Sequence, residues 1–267
     1  MAKKYNLMKS KTESIILSSM NLGEADKLVT FFSIDRGLQK GVAKNARKSF
    51  RRFGAAFEAF TTCRLYLHER EFQDLIRIES ADILFQPRML CTDLYYSAAG
   101  SVMLELVKEL APLHEPNSDT YALLSQAIAL LENGEDPLFL LRIFEIKLLS
   151  LLGYQPKLDY CLSCNTIPKG TAIFLSMKGG VVCSDCMVSS GDAQFRISRG
   201  SSGFYYQALR MDMEKISRLK PSPEIMQELG QAFSSYLIQL MNKRLKSMEF
   251  LRAVYKEIPV SAGERGA

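Results

Sequence analysis

The chain has 267 residues, 47% hydrophobic and 24% charged, a balance that suits a globular protein with room for two domains. The most apolar stretch, Leu138 to Leu152, is interrupted by Arg142, Glu145 and Lys147 and reads as a buried helix, not a membrane span. The net charge of +5 is unevenly spread: residues 1–56 hold 12 Lys/Arg against 4 Asp/Glu, and residues 57–267 hold 22 against 25. That asymmetry implies that one part of the chain meets a polyanion.

The basic opening, residues 1–10, leads into no sustained apolar run, so no signal peptide is expected and the thiols belong in a reducing cytoplasm. Strand-like runs follow at 13–20, 26–34 and 38–43, with turn signals between them. After an irregular basic segment, 57–67 and 75–79 alternate as half-buried strands do. Five short strands in this length suggest a small closed barrel of the OB-fold type. From Gln86-Pro87 the period lengthens. Helices are expected over 90–110, over 118–131, and from the cap Asp136-Pro137 to Gly153. Helical patterns return after Ser201 and after Pro223, the last running through Leu245. The fold class is therefore α+β: an N-terminal OB-fold β-barrel followed by a helical domain. The expected division is a nucleic-acid-binding barrel over 1–82 and a helical domain in two parts, 83–158 and 191–255. A metal-binding insertion at 159–190 lies between those parts, and a flexible tail occupies 256–267.

Within the barrel, the segment from Arg36 to Phe57 holds seven basic residues and no acid. Lys40, Lys44, Arg47, Lys48, Arg51 and Arg52 are suited to neutralising phosphates. Phe50 and Phe53, interleaved among them, either stack on unpaired bases or point into the core.

The insertion carries the most specific motif. Cys161 and Cys164 form one pair and Cys183 and Cys186 another, with 18 residues between the pairs. Two thiolates separated by two residues reach adjacent corners of a tetrahedron from one tight turn, and a hairpin joins the two turns. Ile173 to Leu175, the turn Lys178-Gly179-Gly180 and Val181-Val182 supply that hairpin. Four thiolates close the shell around zinc and leave no position for water, so the metal is structural. Disulfides would need an oxidising compartment, and an iron–sulfur cluster usually has other spacings. Cys63 and Cys91 have no partner at ligand spacing and read as small buried residues.

Catalytic signatures are missing. The sequence has no phosphate-binding loop of the Gly-x-x-x-x-Gly-Lys type. His68-Glu69-Arg70 does not match a zinc deaminase, and His114 sits in a Pro-flanked connection. The expectation is a binding protein, not an enzyme.

Several segments together resemble the bacterial RecO recombination mediators. They are Glu13 to Leu17, Leu22 to Phe32, Gly37 to Arg47, Arg52 to Phe60, Leu151 to Pro156, Gly179 to Cys183 and Lys246 to Leu251, in the family's order. The resemblance implies an OB-fold, a helical domain and a zinc-binding insertion. It also implies binding to single- and double-stranded DNA and annealing of complementary strands. With RecR, such proteins help load RecA on strands coated by single-stranded-DNA-binding protein, without ATP, in the bacterial cytoplasm at the nucleoid. They also dock the acidic C-terminal tail of that coating protein, here near Arg142 or Lys243-Arg244. The alternative is a zinc-ribbon scaffold that binds structured RNA or a protein partner.

Overall fold

In the computed structural model, which describes residues 8–69, 75–187, 191–216 and 218–256, alternating strands build a closed barrel. Its strands are β1 (Met8–Leu22), β2 (Asp26–Ser33), β3 (Gly37–Ala43), β4 (Thr62–Glu69) and β5 (Ile76–Phe85). The order is β1-β2-β3-β5-β4, closed by β1 on β4, with β3 and β5 parallel and the other pairs antiparallel. This is the OB-type barrel that the strand pattern implies. β1 is long enough to serve both neighbours, and its register shifts between Ile16 and Ser18, which bends it around the barrel.

The inward-facing residues Ile16, Val29, Phe31, Leu65, Leu67 and Ile78 form the core. Phe53 and Phe57 close it, from a short helix α1 (Phe50–Phe53) and the turns that follow. Residues 57–61 are expected to begin a strand, yet they fold as turns, and Phe60 takes a φ of +69°. Phe53, Ala56, Phe57 and Phe60 are all buried, a spacing of three and four that belongs to helix and turn and not to a strand. β5 also runs to Phe85, three residues past the expected boundary at 82, because its pairing with β4 continues to Thr62.

The helical part begins with α2 (Met89–Thr92) and α3 (Leu94–Leu110), separated at Asp93, whose carboxylate accepts from the Tyr95 N–H at 2.8 Å. α4 (Ser118–Glu132), α5 (Pro137–Leu151), α6 (Arg199–Arg210), α7 (Met213–Ile216), α8 (Pro223–Met241) and α9 (Lys246–Lys256) follow. Asp136 caps α5 through the Phe139 N–H at 2.8 Å, with Pro137 in the first turn. The expected final helix through Leu245 is two helices, because Asn242 adopts a left-handed φ of +53° and ends α8. The expected tail beyond Lys256 and the opening residues 1–7 lie outside the described residues.

The chain divides into two compact units, residues 1–92 with 104–132, and residues 93–103 with 133–267. In the first, Ile15 and Phe32 are fully buried although they point away from the barrel core. The connection from α3 to α4 lies against this side: the His114 N–H donates to the Leu38 carbonyl at 3.0 Å and the Tyr121 hydroxyl to Glu13 at 3.0 Å. Gly37 makes the approach possible, since a Cβ there would fall 1.8 Å from the Glu115 carbonyl oxygen. The second unit holds a three-stranded antiparallel sheet in the order β7 (Gly180–Val182), β6 (Ala172–Leu175), β8 (Gln194–Ile197). No described helix is long and apolar enough to cross a membrane.

Candidate nucleic-acid interface and metal centre

The basic segment joins β3 to β4 and is tied to the turn between β1 and β2. Lys44 Nζ lies 2.6 Å from Asp26, and the other Asp26 oxygen accepts from the Asn45 N–H at 2.9 Å. The Arg47 N–H donates to the Ala25 carbonyl at 3.0 Å, and its guanidinium to the Glu24 carbonyl at 2.9 Å. Arg52 donates to the Ser49 hydroxyl and to the Lys44 carbonyl, both at 2.9 Å, and lies 4.8 Å from the centre of the Phe53 ring. Hydrogen bonds from Lys44 and the Asn45 N–H hold the Asp26 carboxyl below its ordinary range.

The six basic residues therefore divide in two. Lys44, Arg47 and Arg52 hold the segment in shape. Lys40, Lys48 and Arg51 are exposed, and their side chains have no ion-pair or hydrogen-bond partner among the described residues. The two phenylalanines divide as well. Phe50 is 85% exposed, whereas Phe53 is 3% exposed, with its ring 5.1 Å from that of Phe57. The expectation that both could meet bases is corrected for Phe53, which the barrel core claims. The turn between β1 and β2 was legible in the sequence, but the part that Glu24 and Asp26 play in anchoring the basic segment was not, because nothing local to them signals a distant basic partner.

In the second unit the four thiols of Cys161, Cys164, Cys183 and Cys186 converge, with all sulfurs within 4.8 Å of one another. Tetrahedral zinc with bonds of about 2.3 Å needs sulfurs about 3.8 Å apart. Cys164 Sγ and Cys183 Sγ are 3.8 Å apart. Each pair sits in its own turn. The Asn165 N–H donates to the Cys161 carbonyl at 2.9 Å, with Asn165 at a φ of +55°. The second pair brackets a single 3-10 turn, Ser184–Cys186. The Ser163 and Cys183 N–H groups both point to Cys161 Sγ at 3.4 Å. Burial raises the Cys161 thiol, but backbone N–H donors outweigh it and bring the group down to about 6. Cys186 is pushed up to about 12, first by its hydrogen bond with Cys183. Sulfurs this close cannot all carry charge unless a cation shares their site. A set of four thiols without a carboxylate suits zinc. Among the described residues, Cys161, Leu175 and Val182 are buried around this cluster, with Ile173, Cys183 and Cys186 packed against them.

A third cluster lies on the outer surface of the same unit. Arg142, Arg244 and Arg252 line one cleft with Phe195, and Leu237, Ile238, Met241, Leu245 and Met248 line an adjoining apolar groove between α8 and α9. Arg142 pairs with the fully buried Glu145, and its guanidinium carbon is 5.9 Å from the centre of the Phe233 ring. Burial raises the Glu145 carboxyl, and Arg142 opposes that shift.

The chain is similar to known proteins along most of its length. Residues 8–87 match the family model described as recombination protein O N terminal, and residues 91–249 the one described as recombination protein O C terminal. A DNA repair protein RecO of Syntrophotalea carbinolica is 32% identical over 243 residues, covering 90% of this chain and 93% of the relative. That of Symbiobacterium thermophilum is 32% identical over 243 residues, covering 90% and 95%. That of Desulforamulus reducens is 32% identical over 248 residues, covering 92% and 95%.

Proposed function

The chain belongs to the recombination protein O family of DNA repair proteins, and from that premise we propose that it is a DNA-annealing recombination mediator. It binds single- and double-stranded DNA at the β1–β2 turn and basic-segment end of the barrel. It pairs complementary strands and, with RecR, helps load RecA on strands coated by single-stranded-DNA-binding protein. The work takes place in the cytoplasm, at the nucleoid. The observation that carries this reading is the exposed group Lys48, Arg51 and Phe50 on a segment anchored by Asp26, Arg47 and Arg52, with Lys40 exposed on the preceding strand β3.

Annealing needs phosphates neutralised while the bases stay free to pair. Three cations with no protein partner repel no base and read no sequence, and they screen the repulsion between two strands. The anchors at Lys44, Asn45, Arg47 and Arg52 tie the backbone from which Lys48 and Arg51 project to the β1–β2 turn.

Zinc, bound by Cys161, Cys164, Cys183 and Cys186, would give a structural cross-link between the two cysteine turns, around which few side chains are buried among the described residues. The acidic tail of the single-stranded-DNA-binding protein would meet the cleft of Arg142, Arg244 and Arg252. The test is annealing of two complementary oligonucleotides without nucleotide, naked and then coated. The reading expects acceleration in both cases and its loss on coated strands when the coating protein lacks its acidic tail. No acceleration on naked strands refutes the annealing role.

A further inference from the structure

The second unit has another groove, of about 360 Å³, that belongs neither to the arginine cleft nor to the metal centre. One wall is a stripe of α6, on which Arg199, Tyr206 and Arg210 fall at intervals of seven and four residues and so share a face. The other wall comes from the cysteine module, where Tyr160 and Ile167 stand 46% and 64% exposed. Hydrogen bonds fix the walls against each other. The Leu158 N–H donates to the Tyr206 hydroxyl at 3.1 Å, and the buried Tyr205 hydroxyl donates to the Pro156 carbonyl at 2.9 Å. Neither guanidinium has an ion-pair partner among the described residues. Asp159 is the one acidic residue in the lining, and its carboxylate is held by the Tyr160 N–H at 3.0 Å.

We propose that this groove is a second binding site for a single strand of nucleic acid. The inference rests on the reading that the protein binds DNA, and it goes beyond it by adding a strand-binding surface apart from the barrel. Eleven helical steps place the Cα atoms of Arg199 and Arg210 about 16 Å apart along α6, and Tyr160, Ile167 and Tyr206 line the same groove. A single strand matches that layout, because its charges recur along its length and its flat bases alternate with them. A short acidic peptide concentrates its charge and would leave one end of the groove unmatched. Arg199 and Arg210 take phosphates, and Tyr206 and Tyr160 provide surface for bases.

The test is photo-cross-linking of the full chain to an oligothymidylate carrying 5-iodouracil, followed by peptide mapping. Cross-links are expected in peptides holding Tyr160 or Tyr206 as well as in barrel peptides. The double variant R199Q/R210Q is expected to lose the first group and keep the second. It should also flatten the log–log salt slope by about 1.4, for two phosphates at about 0.7 each. Cross-links confined to the barrel, or an unchanged slope in the folded variant, overturn the groove site and leave the barrel site standing. Binding nowhere overturns both. An acidic peptide that binds in an Arg199- and Arg210-dependent way, with no cross-link there, gives the groove to a protein partner and overturns the proposal. Should the variant misfold, the wild-type cross-link map decides alone.

Discussion

Replacing Phe53 by alanine and Phe50 by alanine should have opposite consequences, although the residues are three apart in one helix. Phe53 is 3% exposed within the barrel core, in contact with Phe57 and beneath the Arg52 guanidinium. Removing a ring so enclosed costs about 3–5 kcal/mol, transfer and cavity together. Loss of the ring also frees Arg52, which holds the Lys44 carbonyl. Phe50 is 85% exposed, so Phe50→Ala should change stability by less than about 0.5 kcal/mol. If the Phe50 ring stacks on a base, its loss should cost about 1–3 kcal/mol of single-strand affinity. Urea unfolding followed by far-ultraviolet circular dichroism gives the stabilities, and fluorescence anisotropy with a labelled oligonucleotide gives the affinities. A Phe53→Ala chain of wild-type stability with weakened DNA binding would refute the argument, because it would make Phe53 the surface platform.

Other perturbations test other joints of the structure. Gly37→Ala requires a side chain at φ +65° and places a Cβ 1.8 Å from the Glu115 carbonyl oxygen. Loss of several kcal/mol or of soluble protein is expected, and a normal midpoint would contradict the close approach. In C183S/C186S, zinc content measured by atomic spectroscopy should vanish and folding yield fall, while the barrel's DNA affinity stays within about twofold. Fully stable, soluble double-serine protein without metal would refute the structural role. Burial pushes the Glu228 carboxyl up, but hydrogen bonds from the Ser201 hydroxyl and the Ser198 N–H outweigh it and hold the group low. Its contribution is thus fully present above the ordinary carboxylate value near 4.5 and is lost as pH falls through the depressed one. Glu228→Gln should remove that part of the acid-side loss in a pH series of urea midpoints, and an unchanged acid limb would reject it.

The barrel was legible because alternation marks each strand, and the cysteine module because two-residue spacing and a Lys178-Gly179-Gly180 turn admit few structures. The turns at 57–61 were not, since a run of apolar residues fits both a strand and a helix–turn pattern. Only the spacing of Phe53, Phe57 and Phe60 distinguishes the two. β8 was missed for a related reason, because four residues carry little periodicity and its pairing with β6 is formed across the module. At the basic segment the charges were visible but their division was not. Whether a lysine is spent on Asp26 or left for a ligand depends on a residue 18 positions away in sequence. The same holds for the α6 groove, whose two walls come from segments 158–172 and 197–210.

The central claim is that exposed cations on an anchored segment meet phosphate. It is tested most directly by single-strand binding across a salt series, comparing wild type with K40A/K48A/R51A. Three phosphates no longer neutralised, at about 0.7 each, predict a log–log slope flatter by about 2, with the urea midpoint unchanged. An unchanged slope and affinity in that variant would contradict the account and place DNA binding elsewhere on the chain.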